Sequence, residues 1–213
     1  MTASASTAKV VTRKTYDLYP RHFQGFFDRS FQENRIQRFM DHFTKHLPRH
    51  ARVVDLGAGP GSHAVALQQS AVIGSVMCLD LSYEMVKICK QRSLCPVNAD
   101  LEHLPFATAS FDGAWAFASL LHLARPAVRT TIQEIARVLR PGGLVSLAMK
   151  EGRSGGFEDR PDDLSGALRW FTYFSDRSLR RYFPKDRWEL LFFERTSLTS
   201  AHPFLNYIYR KRD

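Results

Sequence analysis

The residues best placed to do chemistry stand together in Val53-Val54-Asp55-Leu56-Gly57-Ala58-Gly59-Pro60-Gly61. Two β-branched residues run into an acid, and three glycines follow at single-residue spacing. This pattern predicts the end of a buried strand turning sharply into a helix. Glycine reaches positive φ without strain, and with no Cβ it lets a ligand lie against bare backbone. The helix that follows would point its free N–H groups and the positive end of its dipole at that ligand. The segment therefore predicts a small-molecule pocket at the carboxyl end of a strand in an α/β sheet. Two phosphate-binding patterns do not fit. The P-loop needs Gly-x4-Gly-Lys-Ser/Thr, and no lysine follows here. The dinucleotide fingerprint G-x-G-x-x-G needs a third glycine at position 62, where Ser62 stands.

The elements that must position this turn are legible on both sides of it. Residues 16–47 carry apolar positions at helical spacing, among them Phe23, Phe26, Phe27, Ile36, Phe39, Met40, Phe43 and Leu47, which predicts one or two helices ending before Pro48. Strand 52–56 then leads to a helix at 61–69, and strand 75–80 to a helix at 82–92. A short strand at 96–98 precedes the loop 100–110. Strand 111–118 leads to a helix at 126–139, and Pro141-Gly142-Gly143 turns the chain into strand 144–149. Repeated βα alternation predicts right-handed crossovers and a mostly parallel sheet. Residues 151–167 are rich in Gly, Asp, Arg and Ser and read as a loop. Ser175 is placed to N-cap a helix reaching about residue 183. Two strand-like runs, Trp188–Ser197 and Phe204–Arg210, read as an antiparallel hairpin at the sheet edge.

Several segments resemble, in order and spacing, the class I S-adenosylmethionine-dependent methyltransferases with a methyltransferase type 11-like domain. VVDLGAGPG resembles their first motif, and CLDLSYEMVKIC their second strand with its terminal acid. NADLEHLPFATASFDGAWAFASLLHL resembles the third strand, adenine loop and fourth strand, and EIARVLRPGGLVSLAMKEG the helix, turn and fifth strand that close the core. The resemblance covers residues 50–150 closely and 165–212 loosely. It implies a doubly wound, mostly parallel seven-stranded Rossmann-like sheet with an antiparallel C-terminal edge hairpin and an N-terminal helical lid. The expected organisation is a disordered segment 1–15 and a single domain 16–213, comprising a lid at 16–48, a cofactor-binding core at 51–150 and a sheet extension at 165–212.

The cofactor implied is S-adenosyl-L-methionine, and the resemblance assigns candidate roles residue by residue. Asp55 would order the turn near the ammonium or sulfonium side. Gly57, Ala58, Gly59 and Gly61 would let the methionine part pack on the backbone. Asp80 would accept hydrogen bonds from both ribose hydroxyls, with Leu81 and Met85 beside the adenine. Asp100 would accept from the exocyclic amine, and the Leu101 backbone would serve the ring nitrogens. Ser119 and His122 lie at or just past the end of the fourth strand, where reacting groups sit in such sheets. His122 is the catalytic candidate, able to take a proton from an acceptor hydroxyl or amine. Tyr16 and Tyr19 precede the first expected helix and are candidate lid residues over the cofactor. Lys150, Arg169, Tyr173 and Asn206 fall on segments that rim the acceptor side. The sequence departs from the family after its C-terminal helix, where Tyr182-Phe183-Pro184-Lys185 replaces Gly-Phe.

Composition narrows the partners. The net charge is +9, and residues 1–50 hold nine Lys/Arg against four Asp/Glu. A basic N-terminal arm of this kind can meet RNA, although its charges are interspersed with aromatics and acids as on a solvated helix face. No apolar run approaches the roughly 20 residues that span a bilayer, and the N-terminus lacks a hydrophobic signal core. Cys78, Cys89 and Cys95 lack CxxC spacing and read as reduced thiols of a cytoplasmic protein. Histidines 22, 42, 46, 50, 63, 103 and 202 are not read as a ligand set, so no metal is expected. The expected activity is methyl transfer to O, N or C of a small-molecule acceptor. The alternatives are an RNA (tRNA) methyltransferase and a non-catalytic cofactor-binding or partner-binding protein.

Overall fold

Each short β-branched run between residues 51 and 150 becomes a strand, and each amphipathic stretch after it becomes a helix that covers the sheet. The strands and helices of this core are β1 (Ala51–Leu56), α4 (Ser62–Gln68), β2 (Ile73–Asp80), α5 (Tyr83–Gln91), β3 (Cys95–Asn98), β4 (Phe111–Phe117), α6 (Arg125–Val138) and β5 (Leu139–Lys150). Three helices precede them, α1 (Ala5–Leu18), α2 (Pro20–Gln32) and α3 (Gln37–Thr44). They are followed by β6 (Gly155–Glu158), β7 (Arg169–Thr172), α7 (Asp176–Arg180), β8 (Trp188–Thr196) and β9 (Phe204–Lys211). These elements belong to a computed structural model that describes residues 5–32, 36–159, 167–197 and 202–212.

Seven strands form one sheet in the order β3-β2-β1-β4-β5-β9-β8. The first five are parallel, while β9 runs antiparallel to both β5 and β8. The order reverses between β1 and β4, so the loops leaving their carboxyl ends diverge and open a crevice there. The core strands are buried almost throughout, with Val53, Val54, Leu56, Ala114, Trp115, Val145 and Leu147 inaccessible to solvent. The α3 helix packs on β4 where Gly113 leaves space: a Cβ there would lie 2.7 Å from Phe43 Cζ. Phe43 and Leu47 take that space, and Phe39 and Phe43 meet the Trp115 ring at 5.2 and 5.3 Å.

The mostly parallel seven-stranded sheet and its antiparallel edge hairpin match the expectation from sequence. Four details differ. Residues 5–15, expected to be disordered, are helical, and residues 1–4 lie outside the described residues. The segment lacks large apolar residues, yet Ala8, Thr12 and Thr15 are buried, and both threonine hydroxyls bond to backbone at or just before β7. The second difference is in β5, which begins at Leu139 and carries Pro141-Gly142-Gly143 as an irregularity within the strand, with Gly142 at φ +75°. Third, part of the expected loop 151–167 forms β6, which pairs with β7 in a separate two-stranded sheet; residues 160–166 lie outside the described residues. Finally, α7 is shorter than expected, although Ser175 caps it as foreseen by accepting from the Ser178 N–H.

Gly113→Val should destabilise the protein by about 2 kcal/mol, because the branched side chain must displace Phe43 from a close-packed site. Urea unfolding measures this; an unchanged midpoint would show that α3 does not pack on β4 in this way.

Candidate active site

The glycine turn is built by sterics. Gly57, Gly59 and Gly61 have φ of +72°, +55° and +83°, a region that disfavours side chains with a Cβ. A Cβ on Gly57 would fall 2.4 Å from Ser119 Cβ, so the loop after β1 touches the loop after β4. A Cβ on Gly61 would fall 2.3 Å from Leu94 Cδ1, which makes Gly61 a packing residue behind the turn. Gly59 has only the Phe27 ring near it, at 3.7 Å, and its N–H donates to Asp80 Oδ2 at 2.8 Å. The other Asp80 oxygen accepts from the Ser82 N–H, also at 2.8 Å.

These loops and α1 enclose a cleft of about 900 Å³, a volume that includes open solvent. Nine of the expected cofactor contacts line it: Gly57, Ala58, Gly59, Asp80, Leu81, Asp100, Leu101, Ser119 and Tyr16. His122 lines it too. Four others do not. Asp55 lies behind the turn, buried, with its Oδ2 lacking a hydrogen-bond partner. Gly61 packs as described. Met85 belongs to a small apolar cluster with Phe23 and Ile88, and Tyr19 packs on that cluster. The reason is that the lid helices cover the α5 face on which Met85 stands, a contact that helical spacing alone does not reveal. Sequence reasoning missed Lys9, Thr12, Arg13, Phe27 and His63, all of which line the cleft. His63 follows the glycine turn by two residues, but only the tertiary partner Trp115, whose Nε1–H donates to His63 Nδ1 at 3.1 Å, would have pointed to it.

The lid is fastened at three places on the rim. Lys9 of α1 pairs with Asp100 at 2.5 Å and with Glu102. Burial opposes the Lys9 charge, and the two carboxylates outweigh it and raise its pKa. Asp17 accepts from Ser82 Oγ at 2.6 Å. Asp28 of α2 accepts from Ser62 Oγ at 2.6 Å and from both terminal nitrogens of Arg92.

This closure brings Tyr16 onto His122. The His122 Nδ1 lies 2.7 Å from the Trp170 carbonyl oxygen, which can only accept, so Nδ1 carries the proton. In the neutral ring Nε2 then offers a lone pair, and the Tyr16 hydroxyl donates to it at 2.9 Å. Phe171 supports the ring from another side at 4.8 Å between centroids. Lys150, buried at the end of β5, holds its ammonium 3.7 Å from the Phe171 ring centre and 3.9 Å from Glu158 Oε2. Asn206 bonds to Glu194 and Thr196, and Tyr173 to Glu158, so both serve the framework behind the site. Among the described residues no group of three or more His, Cys, Asp or Glu could hold a metal ion, and no helix is long and apolar enough to cross a membrane.

Fold and site together define an open, doubly wound α/β protein with a ligand cleft at its topological switch point. Residues 54–147 match the family model described as a methyltransferase domain. The malonyl-[acyl-carrier protein] O-methyltransferase of Enterobacter lignolyticus is 33% identical over 120 residues, covering 54% of this chain and 46% of that protein. The tRNA (carboxymethyluridine(34)-5-O)-methyltransferase of Arabidopsis thaliana is 28% identical over 142 residues, covering 66% of this chain and 33% of that protein. The chain thus spans less than half the length of these two relatives. The 1,6-didemethyltoxoflavin-N1-methyltransferase of Burkholderia thailandensis, solved with 1,6-didemethyltoxoflavin and S-adenosylhomocysteine bound, superposes over 100% of this chain and 92% of its own. The TM-score is 0.76 at 22% identity. Residues 54–147 are thus similar to a methyltransferase domain, and the chain as a whole shares the fold of that solved methyltransferase.

Burial pushes the Asp55 carboxyl up to about 8, helped by the nearby Asp80 charge. Burial likewise lifts Asp80 to about 6, against its backbone donors. Both bind a proton more tightly folded than in the unfolded chain, where carboxyls titrate near 4. Their contribution to stability therefore falls as pH rises from about 4, and for Asp55 the fall ends near 8. Asp55→Asn removes one of the two. The stability of the wild type minus that of the variant should decline by up to about 1.4 kcal/mol per pH unit across this window. Denaturant melts at a series of pH values measure it, and a constant difference would contradict the burial of an ionisable Asp55.

Proposed function

We propose that the chain catalyses S-adenosylmethionine-dependent methyl transfer to an oxygen of a small-molecule acceptor. The observation that carries this reading is the hydrogen-bonded run Tyr16–His122–Trp170 on one side of a cleft whose other side is Gly57, Gly59, Asp80 and Asp100.

The residues present fit the cofactor. The bare backbone at Gly57 and Gly59 leaves room for the methionine part. Each Asp80 oxygen accepts one backbone N–H, and its remaining lone pairs would take the ribose hydroxyls. Asp100 and the Leu101 backbone would face the adenine. Ser119 Oγ, buried and without a hydrogen-bond partner, adds an unfilled polar group at the cleft wall. When bound, S-adenosylmethionine supplies a methyl group made electrophilic by the positively charged sulfonium.

The chain's own part is to position the acceptor, exclude water and move one proton. An acceptor hydroxyl at the Tyr16 oxygen donates its proton there, while Tyr16 passes its own to His122 Nε2. The Trp170 carbonyl holds the Nδ1 proton throughout, which fixes the ring and steadies the imidazolium that forms. The acceptor oxygen gains nucleophilicity as its proton leaves. The lid covers the cleft, and Phe27, Phe117 and Leu123 make much of its wall apolar, which strengthens every polar interaction inside. The oxygen assignment is supported by the relatives named as O-methyltransferases. An RNA acceptor is the second reading, favoured by the tRNA-modifying relative and the net charge of +9. Against it, Lys9, Arg13 and Arg38 of the basic N-terminal part are engaged in ion pairs with Asp100, Asp17 and Glu194. The free cysteines accord with a reducing compartment such as the cytoplasm.

Titration calorimetry with S-adenosylhomocysteine tests the cofactor site. The wild type should bind, and Asp80→Ala should weaken binding by about tenfold or more, the cost of losing hydrogen bonds to a charged group. Folded wild type that gives no binding would overturn the reading, and unchanged affinity in Asp80→Ala would overturn the ribose assignment.

A further inference from the structure

One cation beside the proton path is not used by the chemistry above. Arg169 opens β7, and its guanidinium lies 4.9 Å from the Phe23 ring centre, 5.4 Å from Phe171 and 5.9 Å from Tyr16. Its Nε is buried with no hydrogen-bond partner; Glu158 stands opposite it in the β6–β7 register, yet among the described residues no carboxylate reaches ion-pair distance of it. The other cations around the cleft are balanced. Lys9 pairs with Asp100 and Glu102, Arg13 with Asp17 at 3.7 Å, and Lys150 lies 3.9 Å from Glu158. Arg125, at the start of α6, donates to the Tyr173 carbonyl and stacks on Phe174, outside the rings that touch His122. Asp80 and His63 stand across the cleft, and burial keeps His63 neutral by lowering its pKa to about 4.

We propose that Arg169 is a positioning residue for the Tyr16–His122 pair, its unbalanced charge keeping His122 unprotonated at rest and the Tyr16 oxygen able to carry negative charge in transit. This rests on the proton path described above. A guanidinium over an aromatic face is attracted to the ring and favours extra electron density on it. The same charge opposes protonation of a nearby imidazole. The three rings hold the guanidinium in a low-dielectric setting where its field is weakly screened. Because Phe23 and Tyr16 come from the lid while Arg169 and Phe171 come from β7, the ring enclosure of the charge and its meeting with Tyr16 are complete only when the lid is closed. The proton path is therefore armed by closure. Lys150 reaches the same Phe171 ring, but Glu158 offsets its charge.

The direct readout is the titration of the His122 ring in the full chain without ligand, followed by NMR of carbon-13-labelled histidine. The signal is assigned by its loss in His122→Asn. Arg169→Met should raise the His122 midpoint by on the order of half a pH unit or more, while Arg169→Lys, which keeps the charge, should return most of that shift. An unmoved midpoint in Arg169→Met would overturn the proposal. So would an equal shift in Arg169→Lys, which would mean packing rather than charge. If Arg169→Met does not fold, Arg169→Gln carries the same expectation. Calorimetry with S-adenosylhomocysteine on the same samples separates the two levels. A wild type that does not bind defeats the methyltransferase reading, whereas normal binding with an unmoved midpoint defeats only the role of Arg169.

Discussion

The Asp80 carboxylate joins the parts on which everything else depends. One oxygen holds the Gly59 N–H of the loop after β1, and the other holds the Ser82 N–H at the start of α5. The Ser82 hydroxyl in turn donates to Asp17 of the lid and accepts from the Met85 N–H. A single partly buried acid thus sets the glycine turn, the end of β2, the first turn of α5 and the seat of the lid. Charge-assisted bonds of this kind are about twice as strong as neutral ones, which is how a carboxylate whose pKa is lifted to about 6 by burial can still organise its surroundings.

From that hub the molecule divides its work between a fixed wall and a fastened cover. The wall is backbone, shaped by glycines whose missing Cβ atoms let β1 and β4 loops touch at Gly57 and Ser119. The cover is a pair of helices held by part-buried polar contacts at the rim and by the apolar cluster of Phe23, Met85 and Ile88. None of the strands of the sheet belongs to this cover. Tyr16, the residue that meets His122, belongs to the lid, so in our reading the proton path is complete only when the cleft is shut.

Much of this was legible in the sequence, for definite reasons. The strands announced themselves as β-branched runs, and Asp55, Asp80 and Asp100 stand at or just past strand ends because the βα repeat places them there. His122 was identifiable by its position past β4. What could not be read were contacts between distant segments. Lys9 meets Asp100 across 91 residues, and Trp170 holds His122 across 48; no local periodicity encodes either. Residues 5–15 looked disordered because small polar residues signal poor burial, yet their threonines dock on β7 through hydrogen bonds. Met85 had the right helical offset for the adenine and lies instead under the lid, because its burial is set by Phe23 from another helix.

We propose, then, a cleft that moves a methyl group onto an oxygen of a small molecule. The most direct measurement is incubation of the full chain with methyl-labelled S-adenosylmethionine and extracts separated into low-mass metabolites and RNA. Label should appear in the low-mass fraction, in products whose new methyl sits on oxygen, and His122→Ala should lose most of it. Label confined to RNA, or no transfer to any fraction by a chain that binds the cofactor, would contradict it.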